Sequence, residues 1–272
     1  MNIEDFNLQV SYENNKLNIK YFLYEIVHHC NLNCKGCDHC SPIAEEEYVD
    51  IKTYKKDIEK MKKNFDYIER IGIMGGEPLL HPKINQIIKT TRNILKKTQI
   101  LIFTNAIELR NQPESFWQTL KKEQASLVIT KYDLKINYVE IELIAKKYNV
   151  IIFYENNLKI KDEFHKICYN EEGTEDILTS YKECYHGHYC PTLENGQLYQ
   201  CPIIPATRHF NKYFDKNLEI SEKDSINIHK KIKKEEIFKF FNSPINFCRY
   251  CNISGREKII WGISQKEIKE WT

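Results

Sequence analysis

The sequence is short of several things at once. Nine glycines and eight prolines are spread through 272 residues without a repeat, which excludes collagen-like, linker-like and low-complexity architectures. No apolar run approaches the roughly 20 residues that a membrane-spanning helix needs. The opening MNIEDFNLQVSYENN has neither the basic start nor the apolar core of a secretory signal, so a cytoplasmic chain is expected. Net charge is only +2, and neither sign gathers into a stripe. Nucleic acid and membrane surfaces are therefore not expected as partners. The lysine-rich stretches Lys52–Lys63 and Lys230–Lys239 alternate with acids and apolar residues and read as solvated helix faces.

Cysteine is what the chain has in quantity. Ten thiols in a reducing compartment do not make structural disulfides, and their short spacings point to metal or redox chemistry. The first group lies in HHCNLNCKGCDHC, where Cys30, Cys34 and Cys37 follow C-x3-C-x2-C, with Cys40 two residues beyond them. Three thiolates on one loop can hold three corners of a [4Fe-4S] cluster and leave one iron open to a ligand. A zinc ion completed by Cys40, His28 or His29 fits the same spacing, as does a closed electron-transfer cluster completed by Cys40.

From Tyr21 to about Phe153 short apolar or β-branched runs alternate with amphipathic stretches. Strands are predicted at Tyr21–Val27, Glu69–Met74, Gln99–Thr104, Ser126–Thr130 and Val150–Tyr154. Helices are predicted at Ile51–Phe65, Ile84–Lys97, Pro113–Lys122 and Tyr138–Tyr148, each long enough for a right-handed crossover between parallel strands. An α/β fold with a βα barrel, complete or partial, is the expected result, with function on the loops after the strands. HHC, GGEP and TN all fall on such loops.

Beyond about Ile160 the rhythm breaks, and a smaller cysteine-rich module is expected over 181–272, with the barrel at 1–180 and a helix at the C-terminus. In CPTLENGQLYQC the Asn195-Gly196 pair predicts a type I′ hairpin. Counting outward pairs Glu194 with Gln197, Leu193 with Leu198 and Thr192 with Tyr199, and places Cys190 opposite Cys201. Cys184, Cys190, Cys201 and the C-R-Y-C pair Cys248 and Cys251 supply five thiols for a second centre. A zinc ribbon is the bland reading of that module.

The stretch C-N-L-N-C-K-G-C after the first strand, followed by MGGEP (Met74–Pro78) after the next, resembles the radical S-adenosylmethionine enzymes. That resemblance implies a partial (β/α)6 TIM-type barrel in which Cys30, Cys34 and Cys37 hold a [4Fe-4S] cluster. Its open iron would bind S-adenosylmethionine, with Gly75, Gly76 and Glu77 receiving the methionine end. By the same resemblance Thr104, Asn105, Thr130 and Lys131 lie near the cofactor. The residue before the third cysteine, usually aromatic in the family, is Gly36 here, so His39 or a backbone group would have to supply the adenine contact.

The C-terminal module is similar to the SPASM and twitch extensions, the shorter twitch form fitting better because no cysteine follows Cys251. This implies a second [4Fe-4S] cluster on four of the five thiols, where family spacing selects Cys184 and hairpin register selects Cys190. The unused thiol, Cys40, Cys168 or Cys184 would then be available as a hydrogen-atom donor, unless Cys40 is simply a small buried apolar residue.

The expected activity is cleavage of S-adenosylmethionine to a 5′-deoxyadenosyl radical and hydrogen abstraction from an unactivated carbon. An external one-electron reductant of flavodoxin or ferredoxin type would be needed. CDHCSPIAEEEYVD and the closing IIWGISQKEIKEWT resemble radical proteins of bacterial glycan assembly, which implies a small-molecule or glycan substrate that is epimerised or oxidised. Trp261 is a candidate to stack on a sugar ring. A peptide or protein maturase is the alternative enzyme, disfavoured by the lack of a winged-helix extension before the first strand. A non-catalytic zinc-binding interaction protein is the alternative outside enzymology.

Overall fold

The structure, a computed structural model, describes residues 9–155 and 159–272. Its sheet begins where Asn14 and Asn15 both adopt left-handed backbone, with φ of 51° and 61°, and turn β1 (Val10–Glu13) into β2 (Lys16–Val27). Two consecutive positive φ values make the type I′ hairpin geometry that asparagine tolerates.

Strand β2 is the hub. It pairs in parallel with β3 (Tyr67–Gly75), and the sheet continues in parallel through β4 (Gln99–Thr104) and β5 (Ala125–Ile129) to β6 (Ile152–Tyr154). The crossovers are α1 (Ile51–Asn64), α2 (Ile84–Ile94), α3 (Glu114–Lys122) and α4 (Tyr138–Tyr148). Asp50 starts α1 by accepting the amides of Lys52 and Thr53 at 2.8 and 3.2 Å, the usual way of satisfying the orphan donors of a first turn. Each crossover buries one apolar stripe against the sheet, such as Tyr54, Ile58 and Met61 of α1 and Ile84, Ile87 and Ile88 of α2. Full burial of such a side chain contributes about 1.5–3 kcal/mol.

The second half of the chain is α5 (Ile177–Glu183), α6 (Tyr185–Tyr189), β8 (Thr192–Glu194), β9 (Gln197–Tyr199), α7 (Ile203–Phe214), β10 (Ser225–Asn227) and α8 (Lys234–Phe241). The hairpin has the expected register, Thr192 with Tyr199, Leu193 with Leu198 and Glu194 with Gln197. It does not stand apart. Strand β8 pairs in parallel with the far edge of β2, so six parallel strands run β8-β2-β3-β4-β5-β6, with β9 and β10 extending the same sheet. No pairing among the described residues joins β6 to β10, and the barrel is therefore partial. A second apolar core, including Ile203, Ile204, Phe210, Phe247 and Trp271, lies under the cysteine-rich half.

The expected C-terminal helix is absent from the described residues. A separate two-stranded sheet pairs β7 (Glu163–His165) with β11 (Lys258–Ile260), and only a short 3-10 turn follows at Ile268–Glu270. The reason is local. The buried Glu270 carboxylate accepts from the Ser264 hydroxyl at 2.6 Å and the Gln265 amide at 2.7 Å, folding the chain back on itself. Side-chain bonds of this kind compete with a helix for the backbone.

One carboxylate ties the halves together. Asp57, fully buried on α1, accepts from the Tyr24 hydroxyl at 2.7 Å and from the Gly196 amide of the hairpin turn at 2.9 Å, and lies 2.6 Å from His229 Nε2. Removing it would leave two buried polar groups, Tyr24 Oη and the Gly196 amide, and the half-buried His229 without their partner. Asp57→Ala is expected to lower unfolding stability by about 3–5 kcal/mol, read as a reduced urea midpoint, whereas the isosteric Asp57→Asn should lose less.

Candidate active site

The parallel strands end at one mouth, and two of their loops meet there. The amide of Gly76 donates to Val27 O at 2.7 Å and that of Glu77 to His29 O at 3.2 Å. Such an approach leaves no room for a side chain. A Cβ on Gly75, whose φ is +136°, would sit 2.0 Å from Val27 O, and one on Gly76 would sit 1.9 Å from His29 O. These glycines were expected to let the backbone approach a ligand; their first effect is to press the β3 loop onto the cysteine loop.

Glu77 extends the contact to β4. Its buried carboxylate accepts from Thr104 Oγ1 at 2.8 Å and from the amides of Asn105 at 2.9 Å and Leu79 at 3.1 Å. Burial nevertheless pushes its pKa up to about 7, against the lowering effect of those three donors. Asn105 reaches back across the mouth, its amide donating to Asn31 Oδ1 at 2.8 Å and to Cys30 Sγ at 3.7 Å.

Cys30, Cys34 and Cys37 line one cavity of ≈ 570 Å³ together with Gly75, Gly76 and Glu77. Two of the three sulfurs are met by N–H groups: Leu32 N lies 3.4 Å from Cys30 Sγ, and the Trp261 indole 3.3 Å from Cys34 Sγ. Burial pushes the Cys30 thiol up to about 12, and it raises Cys34 and Cys37 too. Such thiols lose their protons to a metal, and binding is coupled to that loss.

The three residues expected to fill a fourth position are turned elsewhere. Cys40 takes a left-handed backbone (φ 51°) and is wholly buried in the second core, outside the cavity lining. Its expected role as a hydrogen donor at the mouth is thereby lost. His28 points to Glu194 at 3.4 Å and His29 to the Tyr48 hydroxyl at 3.3 Å. Among the described residues no three His, Cys, Asp or Glu side chains gather as a single metal ion would require. Three thiols on one wall, supplied with N–H donors, fit the three-point grip of a cubic cluster.

The other expected contacts divide. Thr130 lines the cavity and hydrogen-bonds Glu155, which lines it too. Lys131 does not. Its ammonium is held over the rings of Tyr138 and Tyr154, at 4.7 and 4.3 Å from their centroids, a cation–π site outside the lining. Lys161 takes the place in the cavity that Lys131 was expected to fill.

His39 does line the cavity, but its Nδ1 is 2.9 Å from Glu25. Burial alone would lower its pKa; Glu25 and Asp38 outweigh this and raise it to about 10. Gly36 has φ +67°, and a Cβ there would meet Ile259 of β11 at 2.7 Å. The C-terminal segment thus occupies the space where a side chain would begin. Trp261, the candidate sugar platform, instead faces Cys34 and lies outside the cavity lining.

The five C-terminal thiols are sorted four to one. Cys184, Cys201, Cys248 and Cys251 line a single small pocket, in which Cys184 Sγ accepts from the Gly187 amide at 3.4 Å. Cys190 lines the larger cavity at the barrel mouth. The expected apposition of Cys190 and Cys201 fails because the ladder stops at Thr192 and Tyr199. Pro191 O is already taken by the Leu23 amide of β2 at 2.8 Å, and the Cys190 amide bonds His186 O at the end of α6. Cys184, the other expected hydrogen donor, is held in the four-thiol pocket away from the mouth. Cys168 is buried, its thiol 3.0 Å from Gly255 O. The sequence offered one sign of this sorting, the eleven residues between Cys184 and Gly196.

Comparison with known proteins bears on the family and the fold. GTP 3′,8-cyclase from Clostridium botulinum is 26% identical over 254 residues, covering 89% of this chain and 78% of the relative. The 7,8-dihydro-6-hydroxymethylpterin dimethyltransferase of Methanocaldococcus jannaschii is 24% identical over 148 residues, 53% of this chain and 26% of that one. In fold the chain is similar to BtrN in complex with AdoMet and 2-DOIA, with a TM-score of 0.51 at 17% identity over 86% of this chain and 92% of BtrN. It is similar to anSMEcpe with bound AdoMet to the same degree, TM-score 0.51 at 12% identity over 85% and 82% of the two chains. The profile of the radical SAM superfamily matches residues 24–178, from the middle of β2 into α5 and across the whole cysteine loop and GGEP turn, and the chain belongs to that superfamily.

Proposed function

We propose that the protein reductively cleaves S-adenosylmethionine and uses the resulting radical to abstract hydrogen from a carbohydrate-type substrate, which it epimerises or oxidises. One observation carries this reading: three thiols and the GGE loop share a cavity from which Cys40, His28 and His29 are turned away. When bound, a [4Fe-4S] cluster on Cys30, Cys34 and Cys37 supplies the electron that splits S-adenosylmethionine, and a second cluster on Cys184, Cys201, Cys248 and Cys251 supplies a further redox centre. An external reductant of flavodoxin or ferredoxin type completes the balance.

The chain's own residues then have defined tasks. Gly75 and Gly76 present backbone to the methionine end, and Glu77, with one acceptor position beyond its three donors, receives the ammonium. Asn105 holds the cysteine loop in register through Asn31. The cavity walls carry both signs of charge, Arg70, Lys161, His39 and His186 against Asp38, Glu77 and Glu155, and the two histidines are already paired with Asp38. Tyr185 and Tyr189 stack at 4.7 Å on the same wall.

That balance favours a hydroxyl-rich substrate of low net charge over a triphosphate, whose roughly three to four negative charges call for an excess of cations. It is the reason to prefer a sugar over the nucleotide named for the clostridial relatives. Cys190 is the thiol on this cavity outside the cysteine loop. In an epimerisation its S–H gives a hydrogen atom to the substrate carbon from which 5′-deoxyadenosyl has taken one. An electron from the reductant and a proton from water then restore the thiol.

Anaerobic reconstitution should give brown protein with about eight irons per chain, and dithionite should release 5′-deoxyadenosine from S-adenosylmethionine. Colourless, zinc-containing protein, or intact S-adenosylmethionine under reduction, would overturn the reading. Cys30→Ala, Cys34→Ala and Cys37→Ala should each reduce 5′-deoxyadenosine to background.

Iron counting tests the sorting of the thiols. Cys184→Ser and Cys251→Ser are expected to lose about four irons, whereas Cys190→Ser should keep all of them. Incubation with candidate sugars, GTP and peptides in deuterated water reads the substrate and the outcome together. Solvent deuterium in a sugar product, lost in Cys190→Ser, marks epimerisation; a product two mass units lighter marks oxidation.

A further inference from the structure

The last fifteen residues are built onto the first cysteine loop. The amide of Lys35 donates to Gly262 O at 2.8 Å and that of Ser264 to Asn33 O at 2.9 Å, and Cys34 pairs with Ile263 in an antiparallel bridge. The indole of the fully buried Trp271 donates to Cys37 O at 2.8 Å. The loop that carries the three thiols is therefore half of a small two-strand ladder whose other half is the C-terminal segment.

Within that ladder Trp261 is fixed from two sides. Its amide donates to Asp162 O at 2.7 Å, just before β7, and its ring packs at 5.5 Å against Tyr132. The indole N–H then points at Cys34 Sγ, 3.3 Å away. An N–H or O–H aimed at a ligand sulfur stabilises negative charge there, and a reduced cluster carries one charge more than an oxidised one.

We infer that Trp261 is a positioning residue of the first cluster, whose indole N–H to Cys34 raises that cluster's reduction potential and makes it reducible by the cell's ordinary one-electron donors. This rests on the reading of Cys30, Cys34 and Cys37 as cluster ligands. Trp261 lies outside the cavity lining. Its effect should therefore appear in the potential and leave iron content and S-adenosylmethionine binding as they are.

The test is a redox titration of the reconstituted full-length protein, followed by electron paramagnetic resonance. The first cluster is identified as the signal that changes when S-adenosylmethionine is added. Trp261→Phe keeps the ring and the backbone pairing and removes the N–H. Its equilibrium constant for reduction is expected to fall about tenfold, a shift of about 59 mV for one electron, with full iron and an intact response to S-adenosylmethionine.

An unchanged potential at full iron overturns the inference and leaves the proposed function standing. A wild-type signal that does not respond to S-adenosylmethionine overturns both. Should Trp261→Phe not retain the first cluster, benzothienylalanine placed at position 261 decides, since it keeps the bicyclic ring and puts sulfur where the indole N–H was. A fall in the same direction supports the inference, and no shift overturns it.

Discussion

The structure depends on two carbonyls that lie where side chains would otherwise be. Val27 O and His29 O each accept from the β3 loop, and each lies about where a Cβ of Gly75 or Gly76 would be. Moving either residue to alanine would force one loop off the other, a strain of at least the 1–3 kcal/mol that overpacking ordinarily costs. From that contact the rest follows in order. The cysteine loop is fixed relative to β3, Glu77 is fixed relative to β4, and Asn105 closes the ring by bonding back to Asn31. Three successive strand ends are thereby held as one rigid rim, which is what a site working at ångström tolerance needs.

Behind the rim, charge is arranged in an alternating row. Glu25 meets His39, His39 meets Asp38 at 3.6 Å, and Asp38 meets His186 at 3.3 Å. Burial alone would raise the Asp38 carboxyl; its two histidines outweigh that and hold it well below the usual carboxylate range. Asp38 adjoins Cys37, and His186 lies two residues past Cys184, so the row spans from the mouth to the four-thiol pocket. A half-buried row of this kind adds little net stability, because desolvation and solvent screening offset attraction. Its value lies in geometry: polar contacts link the two cysteine groups across the mouth.

Much of this was legible in the sequence because it is local. Strand β4 spans the predicted Gln99–Thr104, α4 the predicted Tyr138–Tyr148, and the hairpin register follows from Asn195-Gly196 alone. Periodicity and turn chemistry act over a few residues, and one chain suffices to read them. What stayed hidden is what long-range pairing decides. Cys190 and Cys201 are equidistant from the turn, yet β2 claims Pro191 and draws Cys190 to the mouth. Lys131 stands at a strand end like Thr130, but two tyrosines from different elements capture its charge. The Asn14-Asn15 turn was readable in principle, since two adjacent asparagines are a hairpin signal, weaker than Asn-Gly.

The departure at Gly36 belongs to the same category and explains itself once the C-terminus is in place. A loop that presents an aromatic side chain beside its third cysteine must leave room for it. Here β11 lies over that position, Ile259 within 2.7 Å of where a Cβ would be, and the positive φ of Gly36 suits the tighter path. The aromatic surface has moved from the loop to what packs on it. Tyr132 and Phe164 stack at 9° between planes and line the cavity, with the Trp261 ring 5.5 Å from that of Tyr132. Three rings from three segments thus gather beside the loop, Tyr132 beyond β5, Phe164 on β7 and Trp261 just past β11. The glycine and the C-terminal ladder are two halves of one arrangement, and neither has a physical reason without the other.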